Sequence, residues 1–438
     1  MFRASHDPPA FVSRAFKRFL DCGILAKGLV RVRCDACRQE LLVPFSCKDR
    51  GFCPSCTARR AAQTAAHLVD AVLPHAHYRQ FVLVMPFDLH HRFARDPALE
   101  SRALGLFVEE LASHLRAVTD SDEAAQPGTI TFLQHFGSTL NLHVHFHLLA
   151  LDGVYEAQGE NEPLAFVRAP TPTVEQLEAL VERVARRIRA LVNQAPTAPE
   201  PEEVQAPLLK VFGAEPREPG EPKLVAQFDG FNLHAGTSFE PHERVALERF
   251  CRYALRGPLA QARLSSRPDG KLVYRLKAPK PDGTTHVVFT PMTLLQRLRW
   301  LVPLPRIHLT RYHGVFAPAH PWRARVVPSV KEPEPPLACV RKSRWIDWAD
   351  LLKRVFALEV LACVCGGRRR VIAVIKDERV TRKILAHLGL PDEAPKLEPA
   401  PEEPQGELWP TGPPADEFAQ PPAPEEYDQR WGANDEAE

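Results

Sequence analysis

Residues 141–153 read NLHVHFHLLALDG. Histidine stands at every second position, at His143, His145 and His147, with Leu142, Val144, Phe146 and Leu148 interleaved. Alternation with period two is the mark of a β-strand, whose successive side chains point to opposite faces. One face of this strand is apolar and fit to pack on helices. The other carries three imidazoles. Turned into a core without partners they would be costly, and on a solvent face they would serve no structural end. Their grouping points to a metal or catalytic site.

Working outward, GTITFLQHFG (128–137) reads as a second strand, joined to the first by the turn GSTLN, and YRQFVLVMPF (78–87) as a buried strand ended by Pro86. Apolar spacing near 3.6 marks helices in TARRAAQTAAHLVDAVL (57–73), PALESRALGLFVEELASHLRAV (97–118), TVEQLEALVERVARRIRALV (173–192), HERVALERFCRYAL (242–255) and MTLLQRLRWLV (292–302). Residues 261–291 hold short β-rich runs broken by two PDG turns. NQAPTAPEPEEVQAP and GAEPREPGEPK bury little and read as linker. A last structured stretch contains IDWADLLKRVFALEVLAC, RRRVIAVIK and ERVTRKILAHLGL.

The chain has 438 residues, too many for one compact domain. No run of eighteen apolar residues indicates a membrane span. The first twenty residues lack the apolar core of a secretory signal, so the expected compartment is the cytoplasm. The net charge of +2 hides an asymmetry. Residues 391–438 hold fourteen acidic residues against Lys396 and Arg430, a charge of −12. The chain's +2 less the tail's −12 leaves +14 on residues 1–390. A basic body makes nucleic acid a reasonable partner.

Five of the ten cysteines fall between Cys34 and Cys56. In a reducing compartment such a cluster points to metal rather than disulfides. Cys34-x-x-Cys37, fifteen residues, then Cys53-x-x-Cys56 is the spacing of a zinc ribbon: each C-x-x-C turn aims two thiolates at one ion, and two turns complete a tetrahedral site. Four protein ligands leave no open position, so this zinc is structural. Its neighbours KDR (48–50) and ARR (58–60) present basic groups to nucleic acid. Cys47 is left over, as a replacement ligand or, the favoured reading, a plain buried thiol. Cys363 and Cys365, in C-V-C-G-G, are tight for a shared knuckle; Cys339 is the one further cysteine to assist them, and a buried pair beside a glycine turn is the alternative.

His145-Phe146-His147 resembles the His-hydrophobic-His (HUH) motif of single-strand endonucleases. FGSTLNLHVHFHLLALDGVY, CRYALRGPLAQARL, DGTTHVVFTPMTLLQRL and LTRYHGVFAP together resemble the insertion-sequence 91 family of transposases, in order, over residues 15–390. The Cys-rich N-terminus is similar to that family's zinc-binding domain. The resemblance implies a catalytic Mg²⁺ or Mn²⁺ on His145 and His147, with a third polar ligand to be found among His143, His234, Glu248 and Gln261. The ion would take a non-bridging oxygen of the scissile phosphate and stabilise charge building there. A helix tyrosine would attack phosphorus and form a 5′-phosphotyrosine. Of the six tyrosines, Tyr253 matches the catalytic segment, with Arg252 and Arg256 beside it; Tyr312 is the rival, and Tyr274 reads as packing. Some relatives carry two tyrosines four residues apart. Here Arg249 precedes and Gly257 follows Tyr253 at that distance, so this chain is a one-tyrosine version. Arg59, Arg60, Arg252, Arg256, Arg311 and the RRR at 368–370 are the expected DNA-contacting cations.

The expectation is therefore an α+β protein. A zinc ribbon and following helix (1–72) precede a catalytic domain in two halves, the HUH half (73–193) and the tyrosine half (223–330), around a linker or insertion (194–222). A small C-terminal module (331–390) and a disordered, acidic, Pro-rich tail (391–438) follow. By resemblance the catalytic sheet is antiparallel and of the RNA-recognition-motif (RRM) type, with helices on one side and the His strand at its centre. The implied function is rolling-circle-like DNA transposition. Single-stranded DNA and transposon terminal hairpins are the partners, a homo-oligomer is compatible, and the protein would associate with the nucleoid when bound to DNA. Two rivals differ in chemistry. A non-catalytic zinc-dependent DNA-binding protein requires no tyrosine near His145 and His147. A three-histidine metal hydrolase would keep its activity in Tyr253→Phe.

Overall fold

The computed structural model describes residues 8–159, 162–195, 209–212, 224–280, 282–328, 349, 352–353, 358–393 and 409–410. Cys339, Tyr427 and nearly all of the acidic tail lie outside them.

The chain begins with helix α1 (Ala10–Asp21), a hairpin of β1 (Leu29–Cys34) and β2 (Glu40–Pro44), and α2 (Pro54–Ala71). Pro54 opens α2, where its missing N–H costs nothing. Next come β3 (Tyr78–Val84), α3 (Phe87–Arg95) and α4 (Pro97–Val118), the last capped by Asp96, which accepts from the backbone N–H groups of Ala98 and Leu99. Then follow β4 (Gly128–Phe136), β5 (Leu142–Leu151), the ribbon β6 (Gly153–Ala157) and β7 (Leu164–Arg168), and α5 (Val174–Gln194), opened by a Thr173/Gln176 capping box. The second half holds β8 (Leu209–Phe212), β9 (Val225–Phe228), β10 (Phe231–Phe239), α6 (Arg244–Ala254), β11 (Leu264–Ser266), β12 (Leu272–Arg275), β13 (Thr284–Phe289), α7 (Pro291–Trp300), β14 (Thr310–Gly314) and α8 (Arg323–Val326). β15 (Arg369–Ile375), α9 (Glu378–Leu388) and β16 (Trp409–Pro410) complete it.

The central sheet has six strands in the order β14-β4-β5-β3-β10-β9, every neighbouring pair antiparallel. The His strand, β5, is third of the six. Its apolar face behaves as its alternation requires: Leu142, Val144, Phe146, Leu148 and Ala150 join one core with Leu89 and Phe93 of α3, Phe107 and Leu111 of α4, and Leu180 and Val184 of α5. Each such large side chain contributes roughly 1.5–3 kcal/mol by leaving water.

The opposite face is not bare. Leu149 and Leu151 of β5, with Ile130, Phe132 and Tyr78, pack under Leu68 and Val69 of α2 and Leu247, Phe250 and Cys251 of α6. The expectation of helices on one side alone is therefore corrected to helices on both. The alanine-rich flank of α2 (Ala61, Ala62, Ala65, Ala66, all buried) explains how it lies close to the molecule's core. Arg244 fastens α6 to the end of α2 by donating to the carbonyls of Val69, Leu73 and Pro74, which the helix cannot satisfy itself.

A second sheet, β11-β12-β13-β8-β16, packs with α7 against α1 and the β4–β5 turn through Val12, Phe52, Phe136, Leu140, Tyr274 and Phe289. Its strand β8 lies within the stretch that reads as linker. β15 adds to the N-terminal hairpin in the order β15-β1-β2, with Leu29 opposite Ile375 and Cys34 opposite Arg369. In α9, Thr381 donates to the Ala26 carbonyl (2.7 Å) and Leu385 packs on Ala26 and Leu29. The expected small C-terminal module thus shares a sheet and a core with residues 24–44. Among the described residues no helix is long and apolar enough to cross a membrane.

Candidate active site and metal centres

Strand pairing fixes what surrounds the histidines. His145 lies opposite Gln134 of β4 and Val84 of β3; His147 lies opposite Phe132 and Val82. Val82 in turn faces His234 of β10, so His147, Val82 and His234 form one row, the two imidazole-bearing strands roughly 10 Å apart. The His145 Nδ1 is 3.0 Å from the His143 carbonyl oxygen. A carbonyl only accepts, so Nδ1 carries the proton and Nε2 keeps its lone pair. The His147 Nδ1 is 2.9 Å from the Gln80 amide nitrogen Nε2, and the His147 Nε2 is buried with no hydrogen-bond partner. Burial holds the His147 imidazole down at about 3 and His234 at about 4, and drives His145 well below the ordinary histidine range, helped by His147 beside it. These rings are neutral at pH 7, the form that binds a cation.

α6 brings the tyrosine. Leu247, Phe250, Cys251 and Ala254 are its buried stripe. Tyr253 leaves the flank of that stripe and meets His147 edge-on, ring centroids 6.2 Å apart and planes at 89°. Arg256, one turn on, donates to the Tyr253 hydroxyl (3.0 Å), with its guanidinium 4.4 Å from the ring centroid. Lys277 Nζ lies 5.3 Å from the same ring. Gln134 donates to the Ala254 carbonyl (2.6 Å), tying β4 to the end of the tyrosine helix.

The cysteines gather differently from the ribbon expectation. Cys34, Cys37, Cys53 and Cys56 do not converge. Cys53 and Cys56 join Cys22 and Cys47, and Cys34 and Cys37 join Cys363 and Cys365. The four sulfurs of each group lie within 4.8 Å of one another. Both C-x-x-C knuckles survive as pairs, but each takes another partner pair. The cause is β2, which follows Cys37 and carries the chain away, so that Cys47 and Cys53–Cys56 close beside Cys22 at the end of α1. In this first group Cys47 Sγ is 3.2 Å and Cys22 Sγ 3.7 Å from Cys56 Sγ, which also accepts from the Lys48 N–H (3.2 Å). Cys22 and Cys47 draw the Cys56 thiol far below its ordinary range, toward the thiolate that metals bind. Cys47 as a plain buried thiol is therefore corrected, and Cys22 was not foreseen at all. Its one signal is position, at the end of a helix beside a second cysteine cluster.

Two comparisons bear on identity. Residues 128–323 match the family model described as "Putative transposase". Residues 1–85 match the one described as "Transposase zinc-binding domain", built on the insertion-sequence 91 family. The chain belongs to the insertion-sequence 91 family of transposases. No curated protein and no solved structure matches the transposase. The first match contains His145, His147 and Tyr253, and the second contains the Cys22/Cys47/Cys53/Cys56 group. Cys363 and Cys365 lie beyond both.

The other expected site residues of the transposase divide. Arg256 is at the tyrosine. Arg252 immediately precedes Tyr253 and is paired with Glu248 (2.8 Å). Arg59 and Arg60 are on the first turns of α2, Arg60 donating to the Lys48 carbonyl. Arg311 faces away from the histidines: it stands opposite Thr131, whose other neighbour is Leu148 of the apolar face, and it donates to Ser101 (2.8 Å). Tyr312 is partly buried in the apolar cluster under α2 and α6, and Tyr274 is core. No third His, Cys, Asp or Glu among the described residues converges with His145 and His147. His143 turns its Nδ1 to His145 Nδ1 (3.2 Å), and Gln261 is exposed in a 3₁₀ turn. Gly257, one turn past Tyr253, is packed so that a Cβ would lie 2.6 Å from Thr57 Oγ1, which excludes a tyrosine there.

Proposed function

We propose that this transposase cleaves and rejoins single-stranded DNA through Tyr253, with a divalent cation held by His145 and His147. The observation that carries the reading is the seating of Tyr253 against His147 with Arg256 on its hydroxyl. The donor set suits a cation: His145 keeps a lone pair on Nε2, and the buried His147 Nε2 has no other partner. Turned over about its amide, so that Oε1 rather than Nε2 meets Nδ1, Gln80 would accept the Nδ1 proton and leave the His147 lone pair on Nε2. Bound there, Mg²⁺ or Mn²⁺ would neutralise charge on a non-bridging phosphate oxygen.

The rest is the chain's own chemistry. The Tyr253 oxygen bonds to phosphorus as the bond to the 3′ oxygen breaks. The phenol gives up its proton and the departing oxygen gains one. The products are a 5′-phosphotyrosine and a free 3′-OH, and reversal on another 3′-OH rejoins the strand without ATP. Arg256 and Lys277, on the tyrosine, meet the remaining phosphate charge. With Arg249 and Gly257 at the neighbouring turns, one protomer holds one 5′ end at a time. Joining two ends then takes either a second protomer or a second use of Tyr253. The Cys22/Cys47/Cys53/Cys56 group holds the structural zinc of the N-terminal domain and orients Arg59 and Arg60 at the start of α2.

The test is cleavage of an oligonucleotide carrying the element's own terminus, with Mn²⁺. Wild type is expected to form a protein–DNA adduct that resists denaturation, and Tyr253→Phe to lose it by on the order of 10³-fold or more. An adduct undiminished in Tyr253→Phe sinks the assignment and moves it to Tyr312. No cleavage by wild type favours a DNA-binding protein without catalysis.

A further inference from the structure

The second cysteine group has no part in the chemistry above and lies half outside the zinc-binding domain. Cys34 ends β1, and Cys37 sits in the turn after it. Cys363 and Cys365 lie just ahead of β15, more than three hundred residues later. Cys34 Sγ is 3.6 Å from Cys365 Sγ, and Cys37 Sγ is 3.6 Å from Cys363 Sγ. A disulfide requires about 2.0 Å. Four thiolates at about 2.3 Å from one zinc ion have edges of about 3.8 Å. The spacing is that of ligands around an ion.

The backbone is built for the approach. Cys363 N–H donates to the Gly367 carbonyl and Gly366 N–H to the Cys363 carbonyl (both 2.9 Å), curling C-V-C-G-G so that both sulfurs face one way. This lets two cysteines one residue apart share a centre. Asp35 N–H donates to the Arg368 carbonyl (3.0 Å), holding the two segments side by side. A Cβ on Gly367 would lie 2.8 Å from Cys34 Sγ and 2.9 Å from the Ala36 Cβ, so glycine is required there.

Beyond its ladder with β1 and the packing of Val360 on Val32 and Val43, the strand that follows buries little among the described residues. Val371, Ile372 and Val374 of β15 are exposed, and α9 buries only Thr381 and Leu385. A segment with so small a core needs another fastening.

We propose that Cys34, Cys37, Cys363 and Cys365 bind a second structural Zn²⁺ that fastens residues 358–393 to the N-terminal hairpin. Soft thiolates select zinc over the hard ions of phosphate chemistry. With four protein ligands the site is closed and takes no substrate. It is independent of the nuclease reading and of the first cysteine group.

The test is zinc content of the full-length chain, expressed with zinc and purified under reducing conditions, beside hydrogen exchange of the β15 amides. Wild type is expected to hold two ions. Cys363→Ser/Cys365→Ser is expected to hold one, with exchange across 369–375 at least tenfold faster. Cys22→Ser/Cys47→Ser is expected to lose the other ion. One ion in wild type that the Cys363/Cys365 double variant retains overturns the proposal, as do two ions that it retains. One ion in wild type that this variant loses upholds the second site and removes the first. Should a variant fail to fold, two ions in wild type uphold the second site and one ion counts against it, because only the Cys22/Cys47/Cys53/Cys56 group lies wholly within residues 1–85. In that case chelator-treated wild type gives the exchange comparison, with unchanged β15 protection counting against the fastening.

Discussion

The histidine face and the cysteine centres are built in opposite ways. His143, His145 and His147 belong to one strand, and their common direction follows from the period of that strand alone. Each cysteine group is drawn from segments that the sequence keeps apart: the end of α1 with the start of α2 in one, β1 with the approach to β15 in the other. Chemistry carried by a single element survives in the text of the chain. Chemistry assembled by topology is visible only as an inventory of ligands whose pairing the fold decides.

The sharpest way to strain that contrast is Cys56→Ser. Cys56 lies on the first turn of α2, buried, within 3.7 Å of Cys22 and Cys47 sulfurs. On the zinc reading, losing it is expected to remove an ion and to unseat the helix that covers one face of the central sheet. Apparent binding energies of such structural zinc are roughly 10–16 kcal/mol, comparable to a domain's whole stability. The expected result is loss of the cooperative thermal transition, whereas Cys365→Ser leaves the transition of the central sheet in place. Equal effects from both substitutions would mean that the two centres do not have separate tasks.

Acidification strains the histidine side. His90 and His147 are held near 3 and His234 near 4, chiefly by burial, and His145 is lowered in the same direction. In the unfolded chain these imidazoles protonate near 6.5. Below that pH the unfolded state binds more protons, so stability falls as pH drops. Each imidazole contributes up to about 1.4 kcal/mol per pH unit until its folded value is reached. Denaturant unfolding at pH 7.5 and 5.5, with zinc measured in parallel, is expected to show several kcal/mol lost. Stability unchanged at pH 5.5 with zinc still bound would show that the rings are not buried neutral.

How much of this was legible follows the same division. β3 and β4 beside β5, and the helices α2, α4, α5 and α6, stand where periodicity puts them, while α3, β9 and β10 carry no reading from the sequence; the tyrosine at His147 is the one the resemblance marks. The zinc pairing was misread because the spacing from Cys37 to Cys53 fits a ribbon, while β2 turns the chain to a different partner. Charge alone marks Arg311 as a DNA contact; its strand register sends it to the other face, onto Ser101. Helices on both faces of the sheet were missed because α2 is an alanine-rich helix whose buried flank the sequence does not assign to any partner.

Gln80 is the smallest of these tests and the one most specific to the site. In YRQFVLV it is one polar residue in a buried strand and gives no signal. Register places it opposite Leu149, one step diagonal to His147 on the same face, and its amide reaches the His147 Nδ1 at 2.9 Å. A group that fixes the tautomer and angle of a ligand is commonly worth 10–100-fold in affinity or rate. Gln80→Leu is therefore expected to cut adduct formation about 10–100-fold and to raise the Mn²⁺ needed for half-maximal rate, with the thermal transition nearly unmoved. Gln80→Glu keeps an acceptor for the Nδ1 proton and is expected to recover much of the loss. A fall in rate at unchanged Mn²⁺ dependence, or no recovery by Glu, would place Gln80 in packing rather than in setting the lone pair of His147.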